Sequence, residues 1–209
     1  MSKIEELKEL EEKIRADKTL PLLESNLVFG EGSPDCDVMF IGEAPGAKED
    51  ELGRPFVGRA GQLLDKLIAS VGWKREDVYI TNIVKRRPPA NRDPLPEEIE
   101  AYKLYLTRQI EIIHPKIIAP LGRFSMNYFL PEAKITRDQG KVFRLPNKIL
   151  IVPLLHPAAA LRGTGMMNSL TESFKKLPLI LKKYDLLVVQ GSVAEAEKKE
   201  EAPAQNPLL

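Results

Sequence analysis

Residues 36–42, Cys-Asp-Val-Met-Phe-Ile-Gly, run directly into Glu43-Ala44-Pro45-Gly46, and this junction decides the fold. An apolar run of strand length that ends on glycine reads as a strand buried on both faces. The Gly42–Gly46 turn then reads as a loop at the strand's carboxyl end, within 43–58, Glu-Ala-Pro-Gly-Ala-Lys-Glu-Asp-Glu-Leu-Gly-Arg-Pro-Phe-Val-Gly. Three more runs follow the same pattern, at 77–84, 116–122 and 148–155. The chain between them carries helical spacing. Leu63, Leu64, Leu67, Ile68 and Val71 share a face within 59–71, and Gly72 stops them. A long helix is expected from about Pro96 to His114, where His114 caps the end, a short one near 123–130, and another over 168–184. Strands alternating with helices specify an α/β fold, a three-layer αβα sandwich around a central four-stranded parallel sheet.

Ser2 and Glu5 form a capping-box pattern, so a helix over 2–16 is expected, with Ile4, Leu7, Leu10 and Ile14 on one face. Irregular chain follows through Gly32. Residues 85–96 hold four prolines and are expected to lack regular structure. One domain is expected over 1–190, followed by a small, charged, disordered tail over 191–209.

The 209 residues suffice for one well-cored domain, and 43% hydrophobic with 29% charged content describes a soluble globular chain. No apolar run reaches the roughly 18 residues of a membrane span, and the charged N-terminus is not a secretory signal, so a cytoplasmic location is expected. Cys36 is the only cysteine and His114 and His156 the only histidines, which excludes an internal disulfide and a four-cysteine metal site. No metal is expected. Residues 1–13 and 195–201 each carry −2, which leaves +5 on the body of a chain whose net charge is +1. A mildly basic body suits a polyanion, and it equally describes solvated surface lysines.

In a parallel sheet, ligands bind outside the carboxyl ends of the strands. The Gly42–Gly46 loop, Asn82 and residues 154–162 (Leu-Leu-His-Pro-Ala-Ala-Ala-Leu-Arg) all fall at that edge. The glycines let backbone N–H groups approach a ligand, or simply form a turn. Phe56, between turn formers, offers a ring on which a flat base can stack, or anchors its loop to the core. Asn82 presents one acceptor and one donor to a base edge, or bonds its own backbone at a strand end. His156 can stabilise a departing anion as a neutral imidazole, or be satisfied locally. Lys85, Arg86, Arg87 and Arg92 on the proline-rich loop can clamp phosphates, or lie solvated.

Taken together these segments resemble family-four uracil-DNA glycosylase, the iron–sulfur type common in bacteria and archaea. The matching stretches are 42–67, 79–101, Leu-Gly-Arg-Phe at 121–124 and the 154–162 segment, within about residues 28–165. The resemblance implies a DNA-repair enzyme that flips uracil from single- or double-stranded DNA and hydrolyses its glycosidic bond. It implies catalytic roles for Glu43 and His156, the latter facing uracil O2. It implies contacts to the base from Ala44, Gly46, Glu49, Phe56 and Asn82. In these roles Phe56 stacks, Asn82 pairs with N3–H and O4, and Glu49 crowds the thymine methyl. Ala44 stands where family-one enzymes carry an aspartate base. Lys85, Arg87, Arg92, Leu161 and Arg162 are the expected DNA contacts, with Leu161 or Arg162 filling the gap left by the base.

The chain departs from the family at its cofactor. The family holds a four-iron cluster on four cysteines. Here the third position is Arg86, the fourth is Tyr102, and the N-terminal pair is replaced within 15–20. No cluster is expected; Leu20, Leu22, Leu23, Arg86 and Tyr102 are expected to form a plug in its place. A monomer is expected. Gln205, Leu208 and Leu209 match only the Gln-x-x-aliphatic start of a sliding-clamp peptide, without its aromatic pair. Three other functions remain open on the sequence: a glycosylase for hypoxanthine, a nonenzymatic damaged-DNA binder, and a small nucleotide-binding protein.

Overall fold

A computed structural model describes residues 1–189. The tail expected over 191–209, with its clamp-like Gln205, Leu208 and Leu209, lies outside the described residues. The elements run in the order α1 (Lys3–Ala16), β1 (Glu31–Gly32), β2 (Val38–Gly42), α2 (Ala47–Leu52), α3 (Arg59–Ser70), β3 (Tyr79–Asn82), α4 (Pro96–Ile113), β4 (Ile117–Pro120), α5 (Arg123–Phe129), α6 (Ile135–Asp138), β5 (Phe143–Arg144), β6 (Leu150–Ile151), α7 (Pro157–Ala160) and α8 (Thr164–Lys182).

The sheet is six-stranded and mixed, with order β1-β3-β2-β4-β6-β5. β3, β2, β4 and β6 pair in parallel, while β1 and β5 run antiparallel at the two edges. The expected count of four strands therefore omits two edge pairs. Each is only two residues long, too short to show any alternation in the sequence.

Strand pleating sorts the apolar residues into two cores. Met39 and Ile41 of β2, with Ile118 and Ile151, pack with Leu7, Leu10 and Ile14 of α1 and Tyr102 and Leu106 of α4. Val38 and Phe40, with Ile80 and Leu150, pack with Leu64 and Ile68 of α3 and Phe174 and Leu177 of α8. Phe40 stacks on Phe174 at a centroid distance of 5.3 Å. Helices thus cover both faces, and each fully buried side chain of this size contributes about 1.5–3 kcal/mol.

The Ser2–Glu5 capping box is formed, and α1 buries Leu7, Leu10 and Ile14. Ile4 is 55% exposed, against expectation. α4 starts with Pro96 in its first turn and ends on His114 in a left-handed cap at φ +53°. Two segments read as loop, 43–58 and 154–162, each contain a short helix, α2 and α7. The proline-rich loop holds a 3₁₀ turn at Pro89–Asn91. No helix among the described residues is long and apolar enough to cross a membrane.

Candidate active site

Parallel strands point their carboxyl ends the same way, so the loops after β2, β3 and β6 meet at one edge. A cavity of about 500 Å³ opens there. It is lined by Glu43, Ala44, Gly46 and Glu49 after β2, by Phe56 and Asn82, and by His156 and Arg162 after β6. Three separately expected segments therefore converge on one space.

Asn82 ends β3 and is 1% exposed. Its Oδ1 is buried and has no hydrogen-bond partner, a costly state for an acceptor that no ligand completes. A Cβ added to Gly42 would lie 2.4 Å from this Oδ1 and 2.5 Å from Phe56 Cζ. Gly42 is therefore needed for close approach: no larger residue leaves Asn82 and the Phe56 ring where they are.

Lys85 corrects the sequence reading. It is fully buried, so it cannot reach a phosphate. Its Nζ donates to Thr81 Oγ1 at 2.6 Å, the Asn82 carbonyl at 2.9 Å and Gln109 Oε1 at 2.6 Å. Burial alone pushes its pKa well down. The bonding pattern nevertheless uses three donors, because the Thr81 hydroxyl spends its own proton on the Phe29 carbonyl. Lys85 is thus a post behind Asn82, holding the end of β3. Arg92 makes a two-pronged pair with Glu98 at 2.5 and 2.8 Å, yet its side chain stays 37% exposed. Arg87 donates through Nε to Asn91 Oδ1 at 2.7 Å. Both brace the loop that carries Asn91, a cavity-lining residue the sequence reading missed.

Glu49 lies on α2, yet its Oε1 accepts from the backbone N–H groups of Val57 and Gly58 at 2.9 and 2.8 Å. It caps the open N-terminus of α3, where Gly58 has no side chain to do so. Its other oxygen would lie 2.8 Å from a Cβ on Gly46. Glu49 therefore shapes the wall and ties down the turn that carries Phe56.

His156 is the N-cap of α7: its Nδ1 accepts the Ala158 N–H at 3.1 Å. An accepting Nδ1 carries no proton, so a neutral ring bears its hydrogen on Nε2. Burial pushes the imidazole pKa down to about 4, opposed by the nearby Glu49 carboxylate, so the ring is neutral at pH 7. Its centroid is 5.7 Å from that of Phe56 at a 33° tilt. Glu43 is pushed up to about 7, first by burial and then by Asp93, with Arg123 opposing. Leu161, next in sequence to the cavity-lining Arg162, is 41% exposed.

Away from the cavity, Tyr102 is fully buried and its hydroxyl donates to the Pro21 carbonyl at 2.8 Å. Arg86 donates through Nη1 to the Ser25 carbonyl. Leu20 and Leu22 are buried, but Leu23 is 39% exposed and is not part of this packing. A guanidinium, a phenol and apolar side chains offer no thiolate, so these positions do not fit a four-cysteine cluster.

Comparison with known proteins matches residues 29–178 to the uracil DNA glycosylase superfamily. A type-4 uracil-DNA glycosylase of Sulfurisphaera tokodaii is 49% identical over 162 residues, covering 73% of this chain and 74% of that protein. One from Archaeoglobus fulgidus is 45% identical over 161 residues, covering 73% and 81%. A type-5 uracil-DNA glycosylase of Pyrobaculum aerophilum is 33% identical over 154 residues, covering 66% and 68%. The geometry at the sheet edge and the span of these matches agree: the chain belongs to the uracil DNA glycosylase superfamily, among its type-4 relatives.

Proposed function

We infer that the protein is a uracil-DNA glycosylase, which extrudes uracil from DNA and hydrolyses the bond between base and deoxyribose to leave an abasic site. The observation that carries this reading is the orphaned Asn82 Oδ1 in a cavity that Phe56 and His156 also line. It needs a donor, and uracil N3–H supplies one while O4 accepts from the same amide. Extrusion costs a few kcal/mol, offset by stacking on Phe56 at about 1–3 kcal/mol and by backbone contacts from Arg87, Arg92 and Arg162. Leu161 fills the vacated stack. As the C1′–N1 bond lengthens, both electrons leave with the base, and His156 Nε2–H stabilises the resulting anion. Glu43 holds the water that attacks C1′ and receives its proton. Release of free uracil from a defined oligonucleotide, single- and double-stranded, tests the reading. Parallel hypoxanthine and thymine substrates measure its scope; exclusive release of hypoxanthine would replace uracil in the assignment.

A Glu43 pKa of about 7 gives that role a pH signature. The carboxylate is the working form, so single-turnover excision should rise as pH increases through about 7. Glu43→Gln should flatten the profile and lower the plateau by about 100-fold, the low end for a general base, because a dissociative transition state asks little of it. An unchanged profile in the variant assigns the rise to another group.

We also propose that the chain folds and acts without an iron–sulfur cluster. Support comes from the single cysteine and from the contacts that join the same segments, Tyr102 to Pro21 and Arg86 to Ser25. The purified protein should contain no stoichiometric iron and keep its activity in chelator. Tyr102→Ala should lower the melting temperature while excision, measured where the protein stays folded, changes little. Stoichiometric iron, or activity lost on stripping it, contradicts the proposal.

A further inference from the structure

Phe56 holds a backbone conformation that its side chain disfavours. Its φ is +51°, in the left-handed region, where a bulky residue is strained. The turn must therefore be held from outside. On one side Glu49 takes the N–H groups of Val57 and Gly58. On the other stands Arg75, in a 3₁₀ turn at Arg75–Asp77. Its Nη2 donates to the Pro55 carbonyl at 2.6 Å and its Nη1 to the Phe56 carbonyl at 3.3 Å. The guanidinium is itself braced, with Nε on Glu31 Oε1 and Nη1 on Asp65 Oδ1, both at 2.6 Å. A Cβ on Gly61 would lie 1.8 Å from the Phe56 carbonyl oxygen, so α3 backs the same peptide.

We propose that Arg75 is a positioning residue for base stacking: a guanidinium clamp, braced by Glu31 and Asp65, that fixes the Pro55 and Phe56 peptides and so sets the angle at which the Phe56 ring meets an extruded base. This rests on the stacking role given to Phe56 above. A surface ion pair does not explain the arrangement, because two of the four acceptors are carbonyls of the strained turn. Only a planar fork reaches two carbonyls and two carboxylates at once; an ammonium does not. Arg75 is not part of the cavity lining, so it acts on the base only through the turn. Releasing it lets Phe56 relax out of the left-handed region, while Glu43, Asn82 and His156 keep their places.

A double-mutant cycle tests the clamp. Single-turnover excision and the fluorescence of 2-aminopurine beside the target uracil are measured for Arg75→Gln, Phe56→Ala and the pair. Arg75→Gln should slow excision by about tenfold, the weight of a lost charge-assisted bond, and lower the extruded-base signal. Arg75→Lys should recover part of both. In the Phe56→Ala background the Arg75→Gln effect should vanish, because coupled residues are not additive. An equal loss in both backgrounds overturns the clamp and leaves the stacking role standing. Phe56→Ala without effect removes the stacking role, and the clamp with it. Should Arg75→Gln not fold, Asp65→Asn, which removes one brace, must show the same dependence on Phe56 at smaller size.

Discussion

Replacing His156 with alanine is expected to slow single-turnover uracil release by about 10²- to 10³-fold, the usual loss on removing one donor from a developing anion, while DNA affinity stays nearly constant. The argument rests on the tautomer. Nδ1 accepts the Ala158 N–H, so the neutral ring's only proton is on Nε2. The charge this proton meets does not exist in bound, intact DNA and appears only as the base departs. Such an interaction lowers the barrier without tightening the ground-state complex. Burial holds the ring pKa near 4, so protonation of His156 contributes no inflection to the excision rate between pH 5 and 8. Stability follows the same shift. The folded ring binds protons less readily than an unfolded histidine, whose pKa is about 6.5. Its contribution is therefore complete above that value and is lost as pH falls toward 4. Alanine also removes the N-cap of α7, worth about 1 kcal/mol. His156→Asn, which restores a capping acceptor, separates the two effects: if it recovers the melting temperature but not the rate, the loss is catalytic. A fall in affinity with an intact chemical step would make His156 a binding residue.

What the sequence revealed and what it hid have physical reasons. β2 was legible because five consecutive positions are buried, and a run with no polar interruption cannot lie on a surface. α4 was legible through Pro96 at its start and His114 at its end, both terminal signals that act locally. The edge strands β1 and β5 were not, since two residues carry no period. α7 was read as a loop although His156-Pro157 is a helix-start pattern, because four residues offer no apolar stripe. Asn82, Phe56, Glu43 and His156 were singled out from their motifs, and the fold places all four around one cavity. Lys85 was misread for a reason that applies widely. A lysine is assigned to the surface on charge alone, and the partners that make burial tolerable, Thr81 and Gln109, belong to the tertiary structure. The position itself carried a hint, since Lys85 follows the fully buried Ile83 and Val84. Arg75 gave no signal. Its partners stand 10 to 44 residues away, and only the folded chain gathers them.

Asn82→Ala should cost most, about 10²- to 10⁴-fold in excision, because it strands both polar groups of the base edge in a closed site. Water has little access: Asn82 is 1% exposed, with the Phe56 ring against it. Alanine restores neither the acceptor for N3–H nor the donor for O4, and each unpaired group costs about 1–3 kcal/mol there. The orphaned Oδ1 gives the contact its direction. If Oδ1 takes N3–H, the amide N–H is left for O4, and cytosine, with an amino donor at that place and an unprotonated N3, meets the amide the wrong way round. Asn82→Asp separates these contributions. A carboxylate still accepts from N3–H but repels O4, so uracil excision should fall sharply. The same carboxylate accepts the cytosine amino group, so the ratio of cytosine to uracil release should rise even while both rates stay low. Single-turnover assays on otherwise identical uracil and cytosine oligonucleotides read this ratio. An unchanged ratio would show that Asn82 does not read the base edge, and unchanged rates in both variants would remove it from the mechanism altogether.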